Sequence, residues 1–498
     1  MKLPSLSVIG RDFTASIVVF LVAMPLCMGI AIASGVPPEK GLITGIIGGL
    51  VVGALAGSPL QVSGPAAGLA VIVFELVRDQ GLSALGPILV LAGLIQVVAG
   101  VFRLGGWFRA ISPAVVHGML AGIGVLIVVG QFHVMFDAKP LPSGLQNLAA
   151  MPGRLLGLSP NIAAAELAIA IALGTIAVMI GWEKFRPKAL RLVPGALLGV
   201  IFATLAAFTL GLDVARVTVP ENIAAAIALP DSSFFARWLD PTVIGAALAI
   251  AFIASAETLL SAAAVDRMHD GVRTNYNKEL RAQGIGNLLC GAAGALPMTG
   301  VIVRSSANVQ AGATTRLSTI LHGAWILGMV AALPWVLREI PMAALGAVLV
   351  VTGWKLVNVS HVRHLFGAYG VLPAAIWAVT LILVVTEDLL TGVLVGIALS
   401  LLELVPNLRN LRLTVDRNDD DGHRVWLGGG ATFLTLPRLS DTLDAVPTTG
   451  VVRLDVSRLR AMDHTCAELL KEWLVRRRAS GFAVELHGAS GKTAALAH

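Results

Sequence analysis

Two ionisable residues lie inside apolar stretches of the sequence, where an uncompensated charge is costly. Arg304 is in the middle of "LPMTGVIVRSSANVQAGA", residues 296–313, and Glu257 is in the middle of "IASAETLLSAA". An arginine in such a place either attracts an anion or is paired with a buried carboxylate such as that of Glu257. These residue types therefore indicate binding of a small anion, with a titratable group on a second apolar segment.

The composition indicates that these segments lie in a membrane. Of the 498 residues, 56% are hydrophobic and 13% are charged, and the mean hydropathy is +0.83. Soluble domains carry about 25% charged residues, so we interpret the chain as a polytopic membrane protein. Basic loops on the cytoplasmic side explain the net charge of +6 better than a nucleic-acid partner does. No nucleophile–base pair or metal-ligand spacing indicates an enzyme, and we expect no cofactor and no metal.

Apolar runs predict the membrane-spanning elements, since a spanning helix needs roughly 20 such residues. Two shorter segments, 65–77 and 301–311, bring the predicted total to 14. If both termini are cytoplasmic, the connections on that side carry more Lys and Arg, which agrees with an even number of spans. We therefore predict a multi-pass protein of the inner (plasma) membrane, in contact with lipids. The long runs lie at about 13–34, 38–57, 84–102, 112–136, 161–181, 192–210, 241–264, 281–296, 317–336, 340–357, 370–387 and 389–405.

An internal repeat accounts for the two short segments. Asp12 begins "DFTASIVVFLVAMPLCMGIAIASG" and Asp240 begins "DPTVIGAALAIAFIASAETLLSAA"; in each half a second apolar helix and then a short segment follow. Seven spans per half is an odd number, so the second half must enter the membrane from the opposite side. The sequence thus predicts an all-α membrane domain built as an inverted repeat of seven plus seven spans.

The short segments predict an anion site where their helices begin. A helix start leaves N–H groups unpaired and carries about half a positive charge, and such backbone is tolerated inside a membrane where it lines a cavity. We expect the two starts, after Gly64-Pro65 and near Gly300-Val301, to face each other, with Pro65 in the first helical turn. Arg304 would add a full positive charge. The alternative is that both segments are loops or re-entrant turns without a function.

The character of the sequence changes near residue 409. "VVRLDVSRL" alternates as a strand does, "CAELLKEWLVRRRA" has the apolar spacing of a helix, and "GFAVELHG" predicts a last strand. Alternating strands and helices favour a small α/β domain. We place a transmembrane domain at 1–408 and a cytoplasmic domain at 409–498.

One long block resembles a known family. Residues 264–323, "AVDRMHDGVRTNYNKELRAQGIGNLLCGAAGALPMTGVIVRSSANVQAGATTRLSTILHG", resemble the signature region of the sulfate permease (SulP) family, the bacterial relatives of solute carrier family 26. The phrases at 33–49 and 58–68 are similar to that pattern too, and the tail resembles a STAS domain. The resemblance implies a uracil-permease-like secondary anion transporter, a homodimer and elevator-type alternating access. It implies a mobile core at about 12–102 and 240–336 and a gate at about 111–210 and 340–405.

The resemblance also assigns roles to single positions. Family members commonly have Pro-Gln in the first helix, where this chain has Pro25 followed by Leu26, and a serine-rich phrase where this chain has "TGVIV" before the arginine. These differences leave the choice of anion open. The expected substrate-binding residues are Pro25, Ser63, Gly64, Pro65, Ala66, Ala67, Thr299, Gly300, Val301, Ile302, Val303, Arg304 and Ser305.

Glu257 is the main candidate for ion coupling, with Ser261 one turn later on the same helix face. Sodium-coupled bicarbonate members of the family resemble this arrangement but have Asp and Thr. Because burial disfavours a charged carboxyl group, we expect Glu257 to carry a proton, and sodium fits the site less well. Glu39 is a second candidate; its alternative interpretation is a solvated loop carboxylate beside Lys40.

Two positions of the tail, Asp463 and Thr465 in "MDHTCAELL", match the Asp-x-Ser/Thr of the phosphorylatable STAS motif and are candidate regulatory residues. The alternative is that one of them caps a helix.

For the whole chain, the leading interpretation is proton-coupled symport of a small anion such as sulfate, bicarbonate or a C4-dicarboxylate like fumarate. A passive anion channel or an electroneutral anion exchanger is the first alternative, and a membrane sensor that signals through the STAS domain is the second.

Overall fold

The computed structural model describes most of the chain, and helices dominate the described part. Six helices are long and apolar enough to cross a membrane, and five shorter helices are also apolar. A helix covers most of each long apolar run that predicted a span. The described residues are 6–498 except 109–111, 158–161, 191, 221, 231–233, 235, 267, 270, 358–370, 404–412, 419–423, 433–434, 447–451, 463, 480–483 and 489–498.

The longer helices up to residue 403 are labelled in chain order. One π-helical turn, Gly48–Val52, lies within the second of them. They are α1 (Leu6–Ala33), α2 (Pro38–Leu55), α3 (Ala67–Gln80), α4 (Leu82–Val101), α5 (Pro113–Met135), α6 (Gly144–Leu155), α7 (Ile162–Phe185), α8 (Gly195–Thr209), α9 (Pro241–Asp266), α10 (Tyr276–Ala292), α11 (Ile302–Gln310), α12 (Leu317–Ala332), α13 (Met342–Leu356), α14 (Val371–Thr386) and α15 (Leu389–Glu403).

One order of elements occurs twice along the chain. Helices α1 and α2 precede strand β1, Ser63–Pro65, and α3 and α4 follow it; α9 and α10 precede β2, Met298–Gly300, and α11 and α12 follow it. Both half-length segments are short helices, as the sequence predicts. The prediction for Pro65 is wrong, because this residue lies in β1, before the first residue of α3. Proline is tolerated at a strand end, where its missing N–H removes no necessary ladder bond.

Glycines allow α4 and α10 to pack closely, which fixes the scaffold behind the two strands. A Cβ atom built on Gly93 would lie 2.6 Å from the carbonyl oxygen of Gly284, and one on Gly284 would lie 2.7 Å from that of Gly93. Gly86 and Gly291 meet in the same way one heptad away. Small residues let helix backbones approach in a membrane, where packing rather than water drives association.

The packing divides the chain into two compact units. The larger unit comprises residues 1–105, 120–358 and 382–390 and contains β1, β2 and the helices around them. The smaller unit comprises residues 106–119, 359–381 and 391–498 and contains the tail.

The tail forms a four-stranded sheet with two helices, which confirms the α/β prediction. Its strands are β3 (Leu413–Asn418), β4 (Arg424–Ala431), β5 (Val452–Met462) and β6 (Val484–His487), in that spatial order. The β3–β4 pair is antiparallel, and the β4–β5 and β5–β6 pairs are parallel. Helices α16 (Leu436–Asp444) and α17 (His464–Ala479) cover a core that includes Leu427, Leu439, Leu454, Leu470 and Trp473.

Candidate anion-binding site

Strands β1 and β2 pair with each other and bring the starts of α3 and α11 together. The pairing is antiparallel, with Ser63 opposite Gly300 and Gly64 opposite Thr299. The Val301 N–H extends the ladder by donating to the Val62 carbonyl at 2.9 Å. Each strand ends one or two residues before its helix begins, so the two helix starts lie side by side in the interior of the larger unit.

No side chain caps either helix start. The N-cap residues are Ala66 and Val301, and neither has a side-chain acceptor for the first N–H groups. Backbone N–H groups of the first turn are therefore available to a ligand, and each helix adds about half a positive charge there. Ala67, Val301 and Ile302 are partly accessible, and Val303 is exposed. The arrangement suits an anion held by backbone donors.

Arg304 places a full positive charge directly behind β1. Its side chain is 0% exposed, and its Nη2 donates to the Pro65 carbonyl at 3.4 Å. Its Nε and Nη1 atoms have no hydrogen-bond partner among the described residues. A Cβ atom on Gly64 would collide with Nη1, so glycine is required for this close approach. The Cys27 thiol and the His322 ring lie near enough to interact electrostatically with the guanidinium.

The Glu257 carboxyl group lies near the start of α3 and is not ion-paired with Arg304 among the described residues. A Cβ atom on Gly68 would lie 2.6 Å from its Oε2 atom, so the carboxyl group lies against the first turn of α3. This Oε2 is buried and accepts no hydrogen bond, and no ion pair joins Glu257 to Arg304 in the described structure. Ser261 is buried one turn further along α9. The structure therefore gives no support to a permanent Glu257–Arg304 pair.

Helix α9 also makes hydrogen bonds to β2 and to Gln61, through residues that the sequence analysis did not identify. The Thr258 hydroxyl accepts the Gly300 N–H at 3.1 Å, and the Thr258 carbonyl accepts from Gln61 Nε2 at 2.9 Å. A Cβ atom on Gly300 would collide with the Gln61 amide, so this amide lies flat against the glycine. These bonds fix β2 next to Glu257.

A stripe of polar residues on α10, formed by Glu279, Gln283 and Asn287, makes hydrogen bonds to both strands and to the turn before β1. The sequence analysis did not identify these residues. Glu279 accepts the N–H groups of Gly57 and Ser58 at 2.8 and 2.9 Å, and it accepts from Gln283 at 2.9 Å. Gln283 also donates to the Ser63 hydroxyl at 2.6 Å. Asn287 accepts the Met298 N–H at 2.8 Å. The i, i+4, i+8 spacing of Glu279, Gln283 and Asn287 in an apolar helix is the signal that predicts such a face.

The remaining predicted site residues lie in several places. The Ser63 and Ser305 hydroxyls are used within the protein: Gln283 donates to the first, and the second accepts the Val62 N–H at 2.9 Å and donates to the Val301 carbonyl. Pro25 is buried in α1.

Glu39 lies in the first turn of α2 and is partly exposed, and its Oε2 atom is buried without a hydrogen-bond partner among the described residues. Asp463 lies outside the described residues; Thr465 is in α17, and its side chain is not described.

These features define a membrane protein with an electropositive site between two broken segments and a STAS-like tail. The chain belongs to the sulfate permease family, whose profile matches residues 9–380; the profile "Mlab, STAS domain" matches residues 414–498. It is therefore a multi-pass integral membrane protein of a transporter family. One relative is the putative sulfate transporter YvdB of Bacillus subtilis (strain 168), 31% identical over 407 residues, covering 78% of this chain and 72% of YvdB.

Solved structures have the same fold. The transmembrane domain of a cyanobacterium bicarbonate transporter, BicA, superposes with a TM-score of 0.66 at 22% identity, covering 80% of this chain and 98% of that chain. The overall structure of SLC26A9 gives a TM-score of 0.70 at 17% identity, covering 99% of this chain and 86% of that chain.

Proposed function

We propose that this protein is a secondary active transporter that moves a small anion across the inner membrane together with a proton. The observation that carries the proposal is the antiparallel pairing of β1 with β2, which places two uncapped helix starts beside the buried Arg304. Donors and positive charge converge there, and the described residues supply no carboxylate to neutralise the guanidinium. A small anion bound at the helix starts would compensate this charge.

The proposed contacts to the anion are made mainly by the backbone. The first-turn N–H groups after Ala66 and Val301 would donate to it. Arg304, whose guanidinium lies against Gly64, would attract the anion by its positive charge. Pro25 and Thr299 would shape the pocket, and the Ser63 and Ser305 hydroxyls would hold the strands in place. Recognition by backbone donors and one charge selects for a negative ligand more than for a particular shape, so several small anions fit.

Glu257 is the proposed carrier of the coupling proton, with Ser261 beside it on α9. Its carboxyl group touches the first turn of α3, so its charge acts on the same helix start that would hold the anion. Protonation of Glu257 would remove a repulsion of about 1–4 kcal/mol at a separation near 4 Å, which links loading of the proton to loading of the anion. Glu39 remains a second candidate for this role.

For the movement itself we propose an elevator mechanism on a scaffold of 14 spans in two inverted halves. The core would comprise about 12–102 and 240–336 and carry the site past a gate of about 111–210 and 340–405. The repeated order of helix, helix, strand, short helix and helix supports this division. We further propose a homodimer in contact with membrane lipids, with both termini cytoplasmic and the STAS domain, with Asp463 and Thr465, as a regulatory module.

The experiment is uptake into proteoliposomes with and without an inward proton gradient, combined with competition by sulfate, bicarbonate, chloride, fumarate and succinate. Names of relatives make sulfate and bicarbonate the first anions to test. Accumulation that requires the gradient supports symport. Uptake indifferent to the gradient would replace symport by exchange or a channel, and saturable binding without flux would favour a sensor.

A further inference from the structure

A cavity runs beside the short helix α3 in the larger unit. Its volume is about 320 Å³, and it follows α3 from Ala70 in the first turn to Asp79 in the last. Nine residues of helix correspond to a length of about 14 Å. The other walls come from α5, from the segment 140–147 and from the turn between α14 and α15. The lining on α3 thus begins at Ala70, four residues after the N-cap residue Ala66, and ends at Asp79 near the other end of the helix.

The charged residues that line this cavity are mostly acidic. They comprise four carboxylates and one guanidinium, which belong to Glu75, Asp79, Glu387, Asp388 and Arg78. The guanidinium of Arg78 is already engaged: it forms two hydrogen bonds to Asp79, at 2.6 and 2.9 Å, and donates to the Pro142 carbonyl at 2.6 Å. An anion that approaches along this path therefore meets net negative charge, which lowers its local concentration.

Two of the carboxylates, on different elements, line this cavity together. Glu75 belongs to α3, and Asp388 belongs to the turn between α14 and α15; their charges are near enough to interact. The other charged groups facing Glu75 are Arg78 and Asp79 on its own helix, and Glu387 precedes Asp388 on the turn. Neither α5 nor the segment 140–147 adds a charged residue to the lining. Two like charges that line one partly buried cavity disfavour each other's ionisation, so that one of the two groups binds a proton more readily.

The wall of the cavity also contains an unsatisfied acceptor. Gln131 of α5 is 2% exposed, lines the cavity, and its amide oxygen accepts no hydrogen bond among the described residues. A buried polar atom of this kind needs a partner, most simply a water molecule. Carboxylates and an unsatisfied amide oxygen that line one cavity are hydrogen-bond acceptors, which suit a bound proton and its water better than an anion.

We propose that Glu75 and Asp388 form a proton-binding site that controls entry of the anion into the cavity. With both groups ionised, the path repels the anion; with a proton bound to one of them, the repulsion falls and the anion reaches the start of α3. This inference rests on the proposed function, because it requires an anion that binds at the starts of α3 and α11, and it takes the cavity as the path of that anion from outside. The site differs from Glu257, since it acts on access and not on coupling.

The test is anion exchange without a net proton movement, which separates access from coupling. Proteoliposomes with the full-length chain are loaded with sulfate, or with chloride if sulfate is not exchanged; both stay ionised between pH 5.5 and 8. The apparent KM for external anion is measured across this range at fixed internal pH and fixed ionic strength. The wild type is expected to show a KM that rises several-fold towards pH 8, with an unchanged maximal rate.

The variants Glu75→Gln and Asp388→Asn should each weaken this dependence, and in a Glu257→Gln background, where the coupling carboxyl group no longer titrates, each should remove it. Their KM at pH 8 is expected to be about 3- to 10-fold below that of the wild type, the effect of one charge a few ångströms from the path in a partly hydrated site. Glu166→Gln is the matched control, because Glu166 is an exposed residue of α7 that does not line the cavity. It should behave as the wild type does.

Two results would overturn the inference while leaving transport intact. One is a Glu75→Gln variant with the pH profile of the wild type. The other is a KM that follows external sodium, exchanged for N-methylglucamine at constant pH, because the ligand would then be a metal cation. A wild-type protein that exchanges none of sulfate, chloride, bicarbonate, fumarate and succinate would remove the proposed function together with this inference.

Discussion

Arg304 shows how a single residue sets the requirements of the whole site. Its guanidinium is fully buried and has one long hydrogen bond, to the Pro65 carbonyl, among the described residues. A buried charge without a counter-ion costs several kcal/mol, even in a protein interior. The Cys27 thiol and the His322 ring nearby are polar but carry no negative charge at neutral pH. The compensation must therefore come from an anion or from water that reaches the helix starts.

The close approach of Gly64 to Arg304 gives the first prediction. Gly64→Ala should reduce anion uptake at least roughly 10-fold, because the new methyl group would push the guanidinium away from β1 and cost about 1–3 kcal/mol of overpacking. Uptake is compared at equal amounts of folded protein, verified by size-exclusion chromatography. Gly245→Ala is the control, since a Cβ atom there would meet nothing within 4 Å. Normal uptake by Gly64→Ala would show that Arg304 does not need its present position.

The carboxyl group of Glu257 gives the second prediction. Glu257→Gln should abolish accumulation driven by a proton gradient yet retain exchange of internal for external anion, because a glutamine keeps the packing against Gly68 but cannot carry a proton. Both modes are measured in the same proteoliposomes, and Glu166→Gln serves as the control for the charge change. If Glu257→Gln still accumulates anion against its gradient when protons enter, another group carries the proton.

At the scale of elements, the two Asp-x-Thr phrases that suggested the repeat have different roles. Asp12 is buried at the start of α1 and accepts the N–H groups of Thr314 and Thr315 at 2.7 and 3.1 Å, so it ties α1 to the turn before α12. Asp240 bonds only locally among the described contacts: Thr242 donates to it through its hydroxyl and its N–H, which lowers the pKa of the Asp240 carboxyl.

This difference predicts unequal costs for the same substitution. Asp12→Ala should destabilise the protein by about 1–3 kcal/mol, because it leaves two partly buried N–H groups without their charged acceptor. Its melting temperature in detergent should fall by several degrees. Asp240→Ala, the matched control from the other half, should have little effect because its carboxyl group is exposed. Equal shifts for the two variants would contradict the assignment of Asp12 as a long-range tether.

The polar stripe on α10 explains why the extended segments β1 and β2 are stable inside a membrane domain. Glu279 satisfies the turn before β1, and Asn287 satisfies the first residue of β2. In a membrane each unsatisfied backbone group costs several kcal/mol, so extended segments persist only where the protein itself supplies partners. The stripe leaves the first N–H groups of α3 and α11 unpaired, which is the property that an anion site requires.

At the scale of the whole molecule, the elements of the proposed site and the STAS domain belong to separate compact units. All residues of the candidate anion site lie in the larger unit, and strands β3–β6 lie in the smaller one. Each unit has its own apolar core, and that of the tail includes Leu454, Leu470 and Trp473. The proposed anion site therefore contains no residue of the tail.

This separation predicts that a chain truncated after residue 408 keeps transport. Its exchange rate per molecule should stay within about twofold of that of the full chain, since every group of the candidate site remains. Rates are normalised to folded protein in the membrane, and the truncated Glu257→Gln variant provides the negative control for gradient-driven uptake. Loss of all exchange in a well-folded truncated protein would show that the STAS domain is part of the transport machinery.

The sequence by itself determined what depends on local composition. Hydropathy and its period fixed the apolar helices, the two short segments and the α/β tail, because a spanning helix must be apolar along its length and a strand must alternate. It also singled out Arg304 and Glu257, because a charge in an apolar segment is costly unless it is paired or solvated. The block at 264–323 indicated the family by its residues alone.

The tertiary structure decided which distant residues meet. Arg304 contacts the Pro65 carbonyl across 239 residues of chain, and Glu257 lies against Gly68 and not against Arg304. Pro65 belongs to a strand because Met298 pairs with it. Such contacts depend on how whole helices pack, since the pairing of two extended segments is set by partners far away in sequence. No local pattern carries that information.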